Sequence, residues 1–226
     1  MRETAYQVVT VREGKTYAVY RVAAIEMDET REFALAIVTF HDSMREIRAG
    51  APELHAKALP APDRALLSAL RRAEKDDSMA NSAGTEWPGL SAVDNSGLRW
   101  LVRWCPEVGG SLESPTAHLA ALGFLSDLRF VWAGLASHRA NHETAQIASL
   151  DHQIYFHQPS VDATAIHLYE MDSPYAAFGR TLVRGHIWEL KSKRLVASTV
   201  QEGVLRVNCA SSLGLPPNKG RIRGRL

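Results

Sequence analysis

The chain has 226 residues, of which 46% are hydrophobic and 23% are charged, and its net charge is +1 at pH 7. This composition is typical of a globular protein with an apolar core. The near-zero charge disfavours nucleic-acid binding, which needs a clustered basic face. The two cysteines, Cys105 and Cys209, lie far apart and predict no disulfide framework. We expect neither a membrane span nor a signal peptide, because no apolar run is long enough and the first residues are charged.

Residues 1–42 are predicted to form antiparallel β-structure. Their β-branched and aromatic runs are separated by turn residues such as Glu13-Gly14. The predicted strands are Thr4–Val11, Thr16–Met27 and Glu32–His41.

Residues 43–97 are rich in Ala, Pro and Ser, which is typical of a linker. Within them, Asp63–Lys75 predicts a short helix in which Asp63 is the N-cap and three leucines share a face. We expect a loop from Asp76 to Gly97, where turn residues dominate.

Residues 98–208 predict a second ordered region, followed by a basic tail at 209–226. After a strand at Leu98–Trp104, Ser114-Pro115 is a typical helix start, with Ser as N-cap and Pro at the first helical position. The run His118–Phe130 is apolar on almost all sides, which indicates a helix buried against a sheet. Four predicted strands follow, at Gln153–His157, Ala165–Met171, Thr181–Leu190 and Leu195–Val207.

An internal repeat relates the two β-regions. GKTYAVYRVAAIEM followed by FALAIVTFHD corresponds to GRTLVRGHIWEL followed by LVASTVQEG. Each copy has a glycine, a basic residue and a threonine, then two strands joined by a charged turn. The repeat indicates a tandem duplication.

Three motifs of the second region, SLDHQIYFHQP, SPYAAFGRTLVRGHIW and LVASTVQEGVLR, closely resemble the C-terminal half of the type II acyl-CoA thioesterases of bacteria and peroxisomes. The resemblance implies an α+β fold, the tandem (double) hotdog, in which an antiparallel sheet wraps around a central helix. The family has a strand and a Gly-rich helix before the first segment, and nothing here matches them. We therefore expect an incomplete N-terminal copy, from a truncated gene model or a degenerate product, and a poorly soluble or oligomeric chain with weak activity.

The resemblance also implies three catalytic residues. The family has an Asp near the end of the central helix, a Thr or Ser before the I/L-D-H strand, and a Gln in the V-Q-E-G strand. The matching positions are Asp127 in FLSDLRF, Ser149 in ASLDH and Gln201 in TVQEG. Asp is expected to act as a general base on a water molecule that the hydroxyl and the amide position. Each residue alone has an ordinary structural explanation, but together, in intact motifs, they favour the catalytic interpretation.

Other chemistries have less support. His152 and His157 differ by an odd number, so on one strand they face opposite sides, and no third metal ligand lies at a usual spacing. We therefore predict no metal or cofactor, and a structural role for His152 in ordering the start of the strand. No G-x-S-x-G elbow and no Gly-rich phosphate loop occur.

The expected function is hydrolysis of fatty acyl-CoA to free fatty acid and CoA, by direct water attack, in a homo-oligomer. One alternative is an inactive acyl-CoA-binding or subunit-partner hotdog protein. A hotdog dehydratase is disfavoured, because His118 lacks the acidic neighbours expected on the helix. The ending Gly224-Arg225-Leu226 partly fits a peroxisomal address, so a peroxisomal location is expected, and otherwise a cytoplasmic one.

Overall fold

The computed structural model describes residues 3–15, 17–26, 31–42, 58–59, 61–75, 90–93, 98–137 and 144–207. The predicted basic tail at 209–226 and most of the predicted loop at 76–97 lie outside the described residues. The chain divides into two compact units, Met1–Ala56 and Lys57–Leu226. No helix within the described ranges is long and apolar enough to cross a membrane.

The first unit is a three-stranded antiparallel sheet in the order β1-β2-β3. Its strands match the predicted ones closely, with β1 at Thr4–Glu13, β2 at Tyr17–Glu26 and β3 at Arg31–His41. The centre of β2 is buried at Ala23 and Ala24. The outer strands expose large apolar side chains, namely Tyr6, Val8, Val11, Phe33, Leu35 and Ile37.

The second unit is built on a seven-stranded sheet in the order β4-β5-β8-β9-β10-β6, with β7 also paired to β10. Its pairs are antiparallel. The strands are β4 Leu90–Ala92, β5 Arg99–Val102, β6 Thr144–Ser149, β7 Gln153–Phe156, β8 His167–Ala177, β9 Arg180–Glu189 and β10 Arg194–Val207. β5 and β7–β10 confirm the predicted strands. β4 lies inside the predicted loop, and β6 was not predicted.

Helix α1, Arg64–Lys75, confirms the predicted helix and its cap. The backbone N–H of Leu66 donates to Oδ1 of Asp63 at 2.8 Å. Arg99 on β5 donates to the other oxygen of Asp63 at 2.7 Å. The Leu66 and Arg99 hydrogen bonds lower the pKa of Asp63.

The apolar face of α1 packs on the second sheet. Leu66, Ala69 and Ala73 lie in one buried cluster with Leu101 of β5 and Leu168 of β8. The sequence had assigned α1 to a linker, but these contacts make the helix part of the second unit.

A short helix, α2 Pro106–Gly109, precedes α3 Pro115–Asp127 and α4 Trp132–Ser137, and the last two pack on the opposite face of this sheet. The Ser114 hydroxyl accepts from the N–H of Ala117 at 3.1 Å, which confirms the predicted N-cap of α3. Helix α3 ends at Asp127, three residues before the predicted end. The core between helices and sheet includes Leu122, Phe130, Ala133, Tyr169, Val183 and Ile187.

Gly185 on β9 allows an unusually close approach in this core. A Cβ atom there would lie 2.4 Å from the ring of Tyr169 and 2.6 Å from Oγ1 of Thr199. The missing side chain thus lets Tyr169 of β8 and Thr199 of β10 meet above β9.

Candidate active site

Asp127 and Gln201 are brought together by α3 and β10. Asp127 is the last residue of α3, and Gln201 lies within β10 with its side chain fully buried. Nε2 of Gln201 donates a hydrogen bond to Oδ1 of Asp127 at 2.5 Å. The Asp127 side chain is nevertheless 53% exposed. One oxygen of this carboxylate is therefore fixed from inside the protein while the group remains open to solvent.

Ser149 ends β6, opposite Gly203 of β10. Residues opposed across an antiparallel pair point to the same face, and so do residues two apart on one strand. Ser149 therefore faces the same side of the sheet as Gln201. A Cβ at Gly203 would lie 2.6 Å from Val131, so this is the helix-covered side. The Ser149 residue is exposed, whereas Gln201 on the same face of the sheet is buried.

The segment after Ser149 is held to β10 by hydrogen bonds with Glu202 that involve both its backbone and a side chain. The N–H of Leu150 donates to the carbonyl of Glu202 at 2.9 Å. The N–H of Glu202 in turn donates to Oδ1 of Asp151 at 2.7 Å. These bonds fix the position of the next residue, His152.

His152 directly precedes β7, as its predicted place at the start of this strand requires, and it also lies beside the end of α3. Its Nε2 is 2.8 Å from the Ser126 hydroxyl, and its Nδ1 is 3.9 Å from Oδ1 of Asp127. The ring also makes an edge contact with Phe130, with centroids 5.6 Å apart. Burial lowers the pKa of His152, against the opposing effects of the Asp127 and Asp151 carboxylates. The imidazole is thus neutral at pH 7.

The alternation rule does not apply to His152, because the residue precedes β7 and does not belong to it. The signal in the sequence was the polar pair Asp151-His152, which follows Ser149 after one intervening leucine. His157 lies elsewhere, with Nε2 2.8 Å from the Ser198 hydroxyl.

A buried tyrosine supports the end of α3. The Tyr169 hydroxyl donates to the carbonyl of Ser126 at 2.8 Å and lies 2.9 Å from Oγ1 of Thr199. Because the single phenolic hydrogen is used on a carbonyl, Thr199 is the donor in the second bond. Desolvation raises the pKa of Tyr169, so the phenol stays protonated. The chain of bonds from Thr199 through Tyr169 holds the residue next to Asp127.

No group of three or more His, Cys, Asp or Glu side chains in the described part of the chain is arranged to hold a metal ion. The chemistry available at this site is that of a carboxylate, an amide, a hydroxyl and a neutral imidazole. This combination can activate water and stabilise a developing oxyanion.

Comparison with known proteins agrees with this chemistry. Residues 107–204, which include Asp127, Ser149 and Gln201, match the model of the acyl-CoA thioesterase family. Human acyl-coenzyme A thioesterase 8 is 37% identical over 90 residues, 40% of this chain and 28% of that protein. Acyl-CoA thioesterase 2 of Haemophilus influenzae is 26% identical over 220 residues, 89% of this chain and 73% of that protein.

A solved structure agrees with the fold. The acyl-CoA thioesterase II TesB2 of Mycobacterium marinum superposes with a TM-score of 0.63 at 23% identity, over 91% of this chain and 75% of that one. The fold is thus the α+β hotdog of the thioesterases. Over residues 107–204 the chain is thus similar to the acyl-CoA thioesterases, and it spans less than a third of the length of the human relative.

Proposed function

We propose that this protein hydrolyses fatty acyl-CoA to a free fatty acid and CoA by direct attack of water. The observation that carries the proposal is the half-exposed carboxylate of Asp127, fixed at Oδ1 by the buried amide of Gln201. A carboxylate held in this way can accept a proton without first reorganising. The match of residues 107–204 to the acyl-CoA thioesterase family supports the choice of substrate.

The reaction needs one base and no cofactor. Asp127 takes a proton from water as the water oxygen forms a bond to the thioester carbonyl carbon. The Ser149 hydroxyl faces the same side of the sheet and orients this water or donates to the oxyanion. The carbon–sulfur bond then breaks, and the CoA thiolate receives the proton that Asp127 accepted. Such general base catalysis typically contributes about 10²–10⁴-fold in rate.

The test is thiol release from acyl-CoA substrates of increasing chain length. We expect wild-type turnover and, in Asp127→Asn, a loss of about 10²-fold or more in kcat, because the amide has no basic oxygen. Asp172→Asn is the matched control, since its side chain is also 53% exposed and pairs with Arg184 of β9. The control should keep the wild-type rate. Acyl-CoA binding without turnover in the wild type would instead identify an inactive acyl-CoA-binding protein.

A further inference from the structure

The hydrogen bonds around Ser126 define which nitrogen of His152 carries the proton. The Ser126 hydroxyl donates its one hydrogen to the carbonyl of Gly123 at 2.7 Å. A carbonyl oxygen only accepts, so the Ser126 oxygen acts as the acceptor toward His152 at 2.8 Å. Nε2 of the neutral imidazole is therefore protonated, and Nδ1 carries the lone pair.

That lone pair faces the catalytic carboxylate. Nδ1 is buried, has no hydrogen-bond partner among the described residues, and lies 3.9 Å from Oδ1 of Asp127. Two acceptors at this distance form no bond, so Gln201 is the group that holds Oδ1 while His152 is neutral. A proton on Nδ1 would turn the same pair into an ion pair, with the imidazolium as donor.

The charges that act on the ring come from two carboxylates. Asp127 faces it from the end of α3, and Asp151 precedes it in the chain. The other contacts of the ring, with Ser126 and Phe130, carry no charge. Asp127 is therefore the charged group that a protonated His152 would engage from across the site.

We propose that His152 is a positioning residue of the thioesterase site: neutral, it leaves Oδ1 of Asp127 to Gln201, and protonated, it captures the carboxylate and stops catalysis. The proposal rests on the proposed function. It assigns His152 a part in the acid limb of the pH–rate profile, in addition to protonation of Asp127 itself.

The first test is the pH profile of kcat in His152→Gln. A glutamine amide reaches the Nε2 position and donates to Ser126, but it neither titrates nor places a group at Nδ1. We expect the acid limb to move to lower pH by about half a pH unit or more, because one of the two protonations that inactivate the pair is removed. An acid limb that coincides with the wild type would overturn the proposal.

His157→Gln is the matched control. Desolvation also lowers the pKa of His157, but this exposed residue contacts Ser198 outside the site. Its substitution should leave the acid limb in place. If the acid limb shifts equally in both variants, the shift is a general effect of losing a histidine. That result would overturn the positioning role of His152.

The second test needs no turnover. In nitrogen-15 spectra of the intact protein, His152 should be protonated at Nε2 above pH 7, and its titration should move to lower pH in Asp127→Asn, because the carboxylate favours the imidazolium. An Nδ1-protonated ring, or a titration that Asp127→Asn leaves unchanged, would overturn the coupling. Absence of thioester hydrolysis in the wild type would refute the proposed function, while these spectra decide separately whether His152 responds to Asp127.

Discussion

Gln201 and Asp127 lie 74 positions apart in the sequence, and a single 2.5 Å hydrogen bond joins their side chains. The donor is fully buried in the sheet and the acceptor is half exposed at the end of a helix. The direction of the Asp127 carboxylate is therefore set by β10, which is the most extensively paired strand of the second sheet.

Gln201→Ala should lower kcat by about 10²-fold, because the carboxylate loses the donor that orients it. It should also destabilise the fold through the cavity that it leaves. Gln201→Met separates the two effects, since it fills the space and removes a buried Oε1 that has no partner among the described residues. Thermal unfolding should show that Met restores stability, while thiol release stays low. Recovery of activity in Gln201→Met would show that Gln201 contributes only by filling space and that its amide does not orient Asp127.

Ser149→Ala should lower kcat by about 10²-fold and leave the unfolding temperature nearly unchanged, because the residue is exposed at the end of β6. Ser149→Thr keeps the hydroxyl and should retain most of the turnover. The measurement is kcat for Ser149→Ala and Ser149→Thr from steady-state kinetics. Equal rates in the two variants would remove Ser149 from the mechanism.

Tyr169→Phe should reduce the free energy of unfolding by about 1–3 kcal/mol, because the Ser126 carbonyl and the Thr199 hydroxyl both lose a buried partner. It should also lower kcat, since the end of α3 is no longer held. Tyr155→Phe is the control: Tyr155 is exposed and its hydroxyl donates to the nearby Gln153, so the loss of unfolding free energy should stay below about 0.5 kcal/mol. Denaturant titration compares the two, and similar losses would contradict the assigned role of Tyr169.

Stability should fall as the pH decreases from about 7 to 5. Burial lowers the pKa of His152, His157 and His167 in the folded state, so below about pH 6.5 the unfolded chain binds more protons than the folded one. The free energy of unfolding that these neutral histidines contribute is fully present above their pKa in the unfolded chain. It is lost as the pH falls toward their lower pKa in the folded protein.

His167→Asn tests the most deeply buried of the three. Nδ1 of His167 donates to the carbonyl of Ala165 at 2.8 Å, and an asparagine amide can replace this donor without titrating. The variant should show a smaller decrease in unfolding temperature between pH 7 and pH 5. An unchanged decrease would assign the effect to other groups.

The elements predicted correctly are those whose sequence signal is local. The cap at Asp63, the start of α3 at Ser114 and the long strands β8–β10 follow from side-chain chemistry and periodicity. Strand β6, TAQIAS, is short and weakly apolar, and it exists because β10 extends far enough to pair with it. The sequence could not show where α1 packs, because its partners Leu101 and Leu168 are distant in the chain.

The residues of the candidate site also fall into two groups: those that local sequence motifs indicate, and those whose role depends on contacts between distant parts of the chain. The motifs indicated Asp127 and Gln201, and the structure joins their side chains. The motifs also indicated Ser149, which lies on the same face of the sheet. The roles of His152 and Tyr169 depend on contacts with Ser126 that no spacing along one strand reveals. Such roles become visible only after the helix end and the sheet are packed together.

The close approach at Gly185 has a consequence for heat inactivation. Tyr169 touches the space above Gly185 and packs against Phe130, and its hydroxyl also holds the residue before Asp127. The interior packing and the position of Asp127 therefore depend on the same side chain, Tyr169. On warming, we therefore expect no separate step in which the site melts while the core survives, and the proposed thiol-release activity and the calorimetric transition should decline over the same temperature interval.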